Sequence, residues 1–423
     1  MEIHIVSRGE TLWQIASNYN VDINSIIQLN QLPNPNNLVI GQSLVIPTHG
    51  LTHVVRPGET LWQIANRYGT TVQAIVSENH LSNASMLYAG MRLVIPRLKP
   101  TIEVNAYTYQ SPGEGAQSIK DVGNLLTYMS PFAYKVKEDA TLEPFPDELM
   151  ISAAKSKNVV PMMSITNFTA TAQGSNLAHN ILSNKVLQEK VINNVLKVMD
   201  DKGYKGLNID FEGVLAADRE NYNSFLQLAV DRLHPKGYFV STALAPKTSA
   251  TQGGLLYEAH DYEAHGRIAD FVILMTYEWG YRLGPPQAIS PINQMTKVVE
   301  YALSVIPANK IFLGFQIYAR DWKIPHIKGQ EAETVSPQEA IRRAAKYGTI
   351  IQYQTSTQSP FFRYVDENGQ HHEVWFEDAR SAQAKFDLTK KFNLHGISYW
   401  ALGFPYPQNW ALLFDNFHIK KLV

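Results

Sequence analysis

Residues 206–212 read Gly206-Leu207-Asn208-Ile209-Asp210-Phe211-Glu212. Side chains along a β-strand alternate between its two faces, so Asn208, Asp210 and Glu212 share one face and Leu207, Ile209 and Phe211 the other. An amide and two carboxyls opposite three large apolar groups describe a strand that lines a polar cavity and packs its back on helices. A pair of structural carboxylates partnered by Lys or Arg is the alternative reading. Burying two neighbouring acids is costly and drives one pKa upward, which suits a general acid at neutral pH better than a structural pair.

Seven further short runs rich in Val, Ile and Tyr fall at 103–107, 126–129, 159–165, 239–243, 271–276, 311–317 and 396–400, separated by helix-like stretches. Strands alternating with helices imply a parallel sheet, and eight of them close a (β/α)8 TIM barrel, an α/β fold whose chemistry sits at the carboxyl ends of the strands. The roughly 75 residues between the last two runs exceed what a βα connection needs. Strand-like pieces fall at 350–354, 361–365 and 373–376, and the segment resembles an α+β insertion, expected around 322–392.

Residues 4–47 laid over 53–96 match at 21 of 44 positions without a gap, including Gly9-Glu10-Thr11-Leu12-Trp13-Gln14-Ile15-Ala16 against Gly58-Glu59-Thr60-Leu61-Trp62-Gln63-Ile64-Ala65. Each copy reads strand, helix with Thr11 or Thr60 as N-cap, second helix ending at Asn30 or Asn79, then a closing strand, a small β-α-α-β unit that buries its own core. Trp13 and Trp62 are expected on the core faces of their helices. Domains are expected at 1–48, 52–97 and 101–423. The connections 48–52 and 97–101 are too short for long tethers, which places the modules close to the large C-terminal unit.

Composition narrows the partners. The chain has 423 residues, 45% hydrophobic and 18% charged, and 37 Lys+Arg against 38 Asp+Glu give a net charge of −1. No basic run suits nucleic acid or an anionic membrane, and no apolar run approaches a membrane span. Residues 1–100 hold 5 acids, 6 bases and 10 Asn, a surface for hydrogen-bonding a neutral sugar. With 0 Cys there is neither a disulfide nor a thiolate site. The His pairs 260/265 and 371/372 show no ligand spacing, so no metal and no cofactor are expected. Met1-Glu2-Ile3-His4 lacks the shape of a signal peptide.

At Gly-Glu-Thr-Leu-Trp and the closing Ile-Pro, both repeats resemble LysM domains. The resemblance implies binding of N-acetylglucosamine-containing glycans such as peptidoglycan or chitin between the first turn (Gly9, Thr11, Leu12; Gly58, Thr60, Leu61) and the loop near Asn30 or Asn79.

Asn208-x-Asp210-x-Glu212 resembles the Asp-x-Asp-x-Glu signature of glycoside hydrolase family 18, as do Met275-Thr276-Tyr277 at the sixth strand, Trp400 at the eighth and Ser164 at the third. The resemblance implies substrate-assisted hydrolysis: Glu212 as acid then base, and Asp210 orienting a 2-acetamido group, with Asn208 beside it. Tyr277 would donate to the acetamido oxygen and Trp400 would stack under the sugar, with Met275, Tyr107, Ser164 and Glu278 completing the substrate site. Asn208 and Lys205 depart from Asp in the family pattern, Glu278 stands where chitinases have Asp, and Ser164-Ile165-Thr166-Asn167 half matches Ser-x-Gly-Gly.

Duplicated LysM units, this barrel, the Asn variant and the absent signal peptide together resemble the cortical-fragment-lytic N-acetylglucosaminidases of Bacillus-type spores. That resemblance implies a monomer acting on spore cortex peptidoglycan or its fragments during germination, located in the cortex or coat region. Two other readings stay open: a LysM-bearing chitinase, and an inactive glycan-binding protein on the same barrel.

Overall fold

Among the described residues of the computed structural model (1–48, 51–83, 86–96, 99–168 and 173–422), eight parallel strands close a barrel. They are Thr101–Thr108, Tyr128–Pro131, Val160–Thr166, Gly206–Asp210, Phe239–Leu244, Phe271–Leu274, Ile311–Gln316 and Gly396–Trp400. Each pairs with the next in sequence, and the eighth returns to the first with Gly396 opposite Glu103 and Tyr399 opposite Ala106. All eight runs picked from sequence are strands. Alternation holds on the fourth: Leu207, Ile209 and Phe211 are buried with the surrounding helices, in one cluster with Val191, Val195, Tyr222 and Phe225.

Inside the barrel, Tyr128, Met162, Phe271 and Phe312 form an apolar plug with Phe239 against it, so the cavity is floored rather than open through. Gly206 is required by this plug, because a Cβ there would stand 2.1 Å from the Phe239 ring. Lys205, at the opposite end of the fourth strand from the carboxyls, has an exposed side chain. Its departure from the family pattern therefore lies away from the barrel mouth.

The insertion is a five-stranded antiparallel sheet in the order Glu333–Val335, Ala319–Ile324, His371–Trp375, Ser359–Val365, Gln352–Gln354, with helix Pro337–Lys346. It begins earlier than expected, and two of its strands escaped the sequence reading. Ala319-Arg320-Asp321-Trp322-Lys323 is too charged to read as a sheet-centre strand, and Glu333–Val335 is too short to show a period.

Both repeats have the expected β-α-α-β order: Glu2–Ile5, Leu12–Tyr19, Ile23–Asn30, Ser43–Ile46, and Leu51–Val54, Leu61–Tyr68, Val72–Glu78, Arg92–Ile95. Thr11 and Thr60 are N-caps with capping boxes to Gln14 and Gln63. The expectation for the tryptophans is overturned: Trp13 is 70% and Trp62 68% exposed. Leu, Ile and Ala already fill the buried stripe of an eight-residue helix, which leaves the indole on the outer face. The connections expected at 48–52 and 97–101 fall partly outside the described residues, at 49–50 and 97–98.

The first repeat is built into the large unit. Gln408 Nε2 donates to Asn30 Oδ1 (3.1 Å) and Ser43 O (2.7 Å), Ala379 N to Ser43 Oγ (3.1 Å), and Ile351 N to Ile40 O (2.9 Å). Val45 joins the core around the barrel, and Val39 that of the insertion.

Candidate active site

The carboxyl end of the fourth strand sits between neighbours that position it. Ser164 lies opposite Asn208 on the third strand, and Ser241 on the fifth. Asn208 Nδ2 donates to Ser241 Oγ (3.0 Å), and its Oδ1 accepts from the Tyr107 hydroxyl (2.9 Å). Asn208 thus ties three strands together and spends its side chain on neighbours other than Asp210. Among the described residues, Asp210 Oδ1 is buried with no hydrogen-bond partner, and so is Ser164 Oγ. Buried polar atoms are nearly always paired, so an orphaned carboxylate oxygen in the mouth of a barrel is an acceptor placed for a donor from outside the chain.

No Lys or Arg pairs with Asp210 or Glu212 among the described residues, against the structural-pair reading. Burial, and then the charge of Glu212, push the Asp210 carboxyl well above the usual range. Burial, and then Glu278, raise Glu212. Two desolvated, mutually repelling carboxyls favour a state in which they hold one proton between them.

Tyr277, Met275 and Glu278 follow the sixth strand, half-buried. Burial first, then Tyr107, Asp210 and Glu212, hold the Tyr277 hydroxyl well above its ordinary pKa, so it is a donor at any working pH. Trp400 is also half-buried. Its ring meets Phe132 edge-on at 4.8 Å, Tyr107 at 5.5 Å and the exposed Tyr109 at 5.8 Å. Glu278, at φ +67°, pairs with Arg320 Nη2 (2.5 Å) and accepts from the Tyr318 hydroxyl. Arg320 and Tyr318 belong to the segment entering the insertion, so the insertion contributes a charged wall to the site.

Sequence reasoning missed Arg320, Tyr109, Ser241 and the residues that hold the Glu212 backbone. Asn167 had registered only as a departure from Ser-x-Gly-Gly, yet its Oδ1 accepts from Glu212 N (2.8 Å) and its Nδ2 donates to Glu212 O (2.8 Å). Among the described residues, no group of three or more His, Asp or Glu is placed to hold a metal ion.

In the repeats, Gly9, Thr11, Gly58 and Thr60 lie on exposed turns. Leu12, Leu61 and Asn30 do not present side chains to a ligand. The leucines are core. Asn30 is 1% exposed, with Nδ2 donating to Ile26 O and Val45 O and Oδ1 accepting from Val45 N. Asn79 repeats these bonds with Ile75 and Val94. Both asparagines staple the second helix to the closing strand.

Comparison with known proteins agrees with this architecture. Glycosyl hydrolases family 18 matches residues 78–404, and the LysM domain matches 4–47 and 53–96. The cortical fragment-lytic enzyme of Bacillus subtilis (strain 168) is 51% identical over 100% of this chain and 99% of its own length, and that of Bacillus anthracis is 45% identical over 100% and 99%. The crystal structure of the Bacillus megaterium QM B1551 spore cortex-lytic enzyme SleL superposes with a TM-score of 0.89 at 42% identity, covering 100% of this chain and 99% of that one. The chain belongs to glycosyl hydrolase family 18, in the LysM-bearing group that includes the cortical fragment-lytic enzymes.

Proposed function

We propose that the protein is an N-acetylglucosaminidase that cleaves spore cortex peptidoglycan, or its fragments, after N-acetylglucosamine during germination. The observation that carries this reading is the orphaned Asp210 Oδ1 beside Glu212. A 2-acetamido N–H supplies the missing donor and favours the charged form of Asp210, which leaves the shared proton on Glu212.

Glu212 then gives that proton to the glycosidic oxygen as the bond to C1 breaks, while the acetamido oxygen attacks C1 and closes a five-membered oxazolinium ring. The Asp210 charge stabilises the ring, and Tyr277 donates to the acetamido oxygen. Glu212, now a carboxylate, takes a proton from water, whose oxygen opens the ring at C1. The configuration is retained with no carboxylate nucleophile, the substrate-assisted exception to the two-carboxylate scheme. Trp400 floors the sugar, with Tyr107, Met275, Ser164 and Glu278 around it.

The chemistry of the substrate favours cortex cleavage on this side. In muramic δ-lactam the amide is tied into a ring and cannot attack C1, so the sugar in the reacting position is N-acetylglucosamine. The LysM units, at 1–48 and 52–97 before a catalytic unit at 101–423, bind glycan strands and keep the enzyme on spore wall material. Mass spectrometry of cortex fragments treated with wild type and Glu212→Gln tests the reading. New N-acetylglucosamine reducing ends that vanish in the variant are expected. Muramic acid at the new ends, or ends that persist in Glu212→Gln, would overturn it.

A further inference from the structure

The fourth strand ends at Asp210, and its last ladder pairs are Thr166 with Asp210 and Thr242 with Ile209. Glu212 therefore stands two residues beyond the sheet, where no strand partner fixes its backbone. A general acid needs its carboxyl held in place, and a displacement of about 1 Å costs on the order of 10²-fold in rate.

We infer that Asn167 and His260 form a clamp on the peptide that carries Glu212 and act as positioning residues for the acid. His260 Nδ1 accepts from Ala245 N (2.8 Å), so the ring proton sits on Nε2, which donates to Phe211 O (3.0 Å). Asn167 Oδ1 accepts from Glu212 N (2.8 Å). Phe211 O and Glu212 N belong to one peptide plane, which is thus gripped at both of its polar groups from opposite sides, by residues following the third and the fifth strands. Asn167 Nδ2 also donates to Glu212 O (2.8 Å), which fixes the next plane. With the planes on both sides of the Cα set, the direction of the Glu212 Cα–Cβ bond, from which the carboxyl is carried, is set too. Both clamp residues are 1% exposed, and burial holds the His260 pKa at about 4, so the ring stays neutral and its single N–H stays on Phe211.

The inference rests on Glu212 being the acid, and the experiment separates the two claims. Steady-state kinetics on soluble cortex fragments are measured for wild type, Glu212→Gln, Asn167→Ala, His260→Ala and His260→Gln. Asn167→Ala should lose about 10²-fold in kcat and His260→Ala about tenfold, with KM within about twofold. His260→Gln keeps an N–H donor and an acceptor and should recover most of the loss, which a packing role would not allow. The alkaline limb of kcat/KM should move to lower pH in Asn167→Ala, because a loosened carboxyl takes up water. The ionisable groups facing it (Asp210, Glu278, Tyr277 and Tyr222) are unchanged. If an alanine variant fails to fold, His260→Gln and Asn167→Ser carry the test through the same kcat and pH readings. Unchanged kcat in the Asn167 variants, or a His260→Gln as impaired as His260→Ala, would overturn the clamp. Full activity in Glu212→Gln would instead remove the assignment of the acid.

Discussion

The two LysM units share their turn, caps and buried stripe but differ in what surrounds them. In the first, the loop after the second helix is pressed against the barrel and insertion: Arg380 Nη2 donates to Gly41 O (3.1 Å), Gln338 Nε2 to Asn30 O (2.9 Å), and the N-terminal amine pairs with Asp415 (3.0 Å). In the second, the bonds of Asn79, His53 and Glu59 run within the unit. One duplicated sequence thus serves as a fixed part of the catalytic body and as a module with its own outward surface. The lesson is that a repeat fixes a fold, while the few residues that differ, and what they lie against, fix a role.

The sharpest test of this contrast uses two equivalent glycines. Gly41 and Gly90 have φ +83° and +87°, so alanine strains both by about 1 kcal/mol. A Cβ at 41 would also lie 1.9 Å from Ile351 O, whereas none of the described residues lies within 4 Å at 90. Gly41→Ala should cost ~2 kcal/mol more than Gly90→Ala in calorimetric unfolding, from overpacking at the interface. Equal losses would show that the first module is not held by the insertion.

A smaller effect is expected on glycan binding. The exposed Trp62 offers a flat apolar face at the outer turn, so Trp62→Ala should weaken binding to insoluble cortex sacculi about fivefold in pull-down, on the scale of one aromatic contact. Trp13→Ala should weaken it less, since the second loop of its module lies against the insertion. Neither should lower the unfolding temperature. Equal binding losses would mean that both modules present their grooves alike.

The smallest difference concerns acid. In each unit a His, a Glu and a Tyr form one chain: His4 with Glu10 and Tyr19, His53 with Glu59 and Tyr68. The Arg56 amide first, then His53 and Arg67, hold Glu59 at about 2, while Glu10 is lowered mainly by the Ser7 amide and has Asn18 where Arg67 stands. A depressed carboxylate pKa stabilises the fold above its unfolded value of about 4.3, and that contribution is lost as pH falls toward about 2. The second unit should therefore loosen more than the first between about pH 4.5 and about pH 2, as read by amide exchange. Glu59→Gln should flatten the dependence.

The barrel was legible because its strands alternate cleanly and an amide and two acids stand on one face at 208, 210 and 212. The insertion was half legible, since its entry strand carries Arg320 and Asp321 inside a core position that only ion pairs with Glu278 and Arg343 permit. The role of the clamp residues was not legible: Asn167 registered only as a departure from Ser-x-Gly-Gly, and His260 only as a histidine without ligand spacing. Both act through backbone groups brought near by the fold, and such a contact has no periodicity or residue spacing of its own. Trp13 failed for a related reason: an eight-residue helix is too short for its apolar period to say which large residue is left outside.

In the proposed reaction the substrate's own acetamido group is the nucleophile beside Glu212. That role is tested most directly by competitive inhibition with a thiazoline analogue of the oxazolinium ring built on an N-acetylglucosamine oligomer. Inhibition at least about 10²-fold tighter than by the matching hydrolysis product is expected of such an intermediate mimic. No inhibition, in an enzyme that still turns over cortex fragments, would contradict it and require a carboxylate nucleophile.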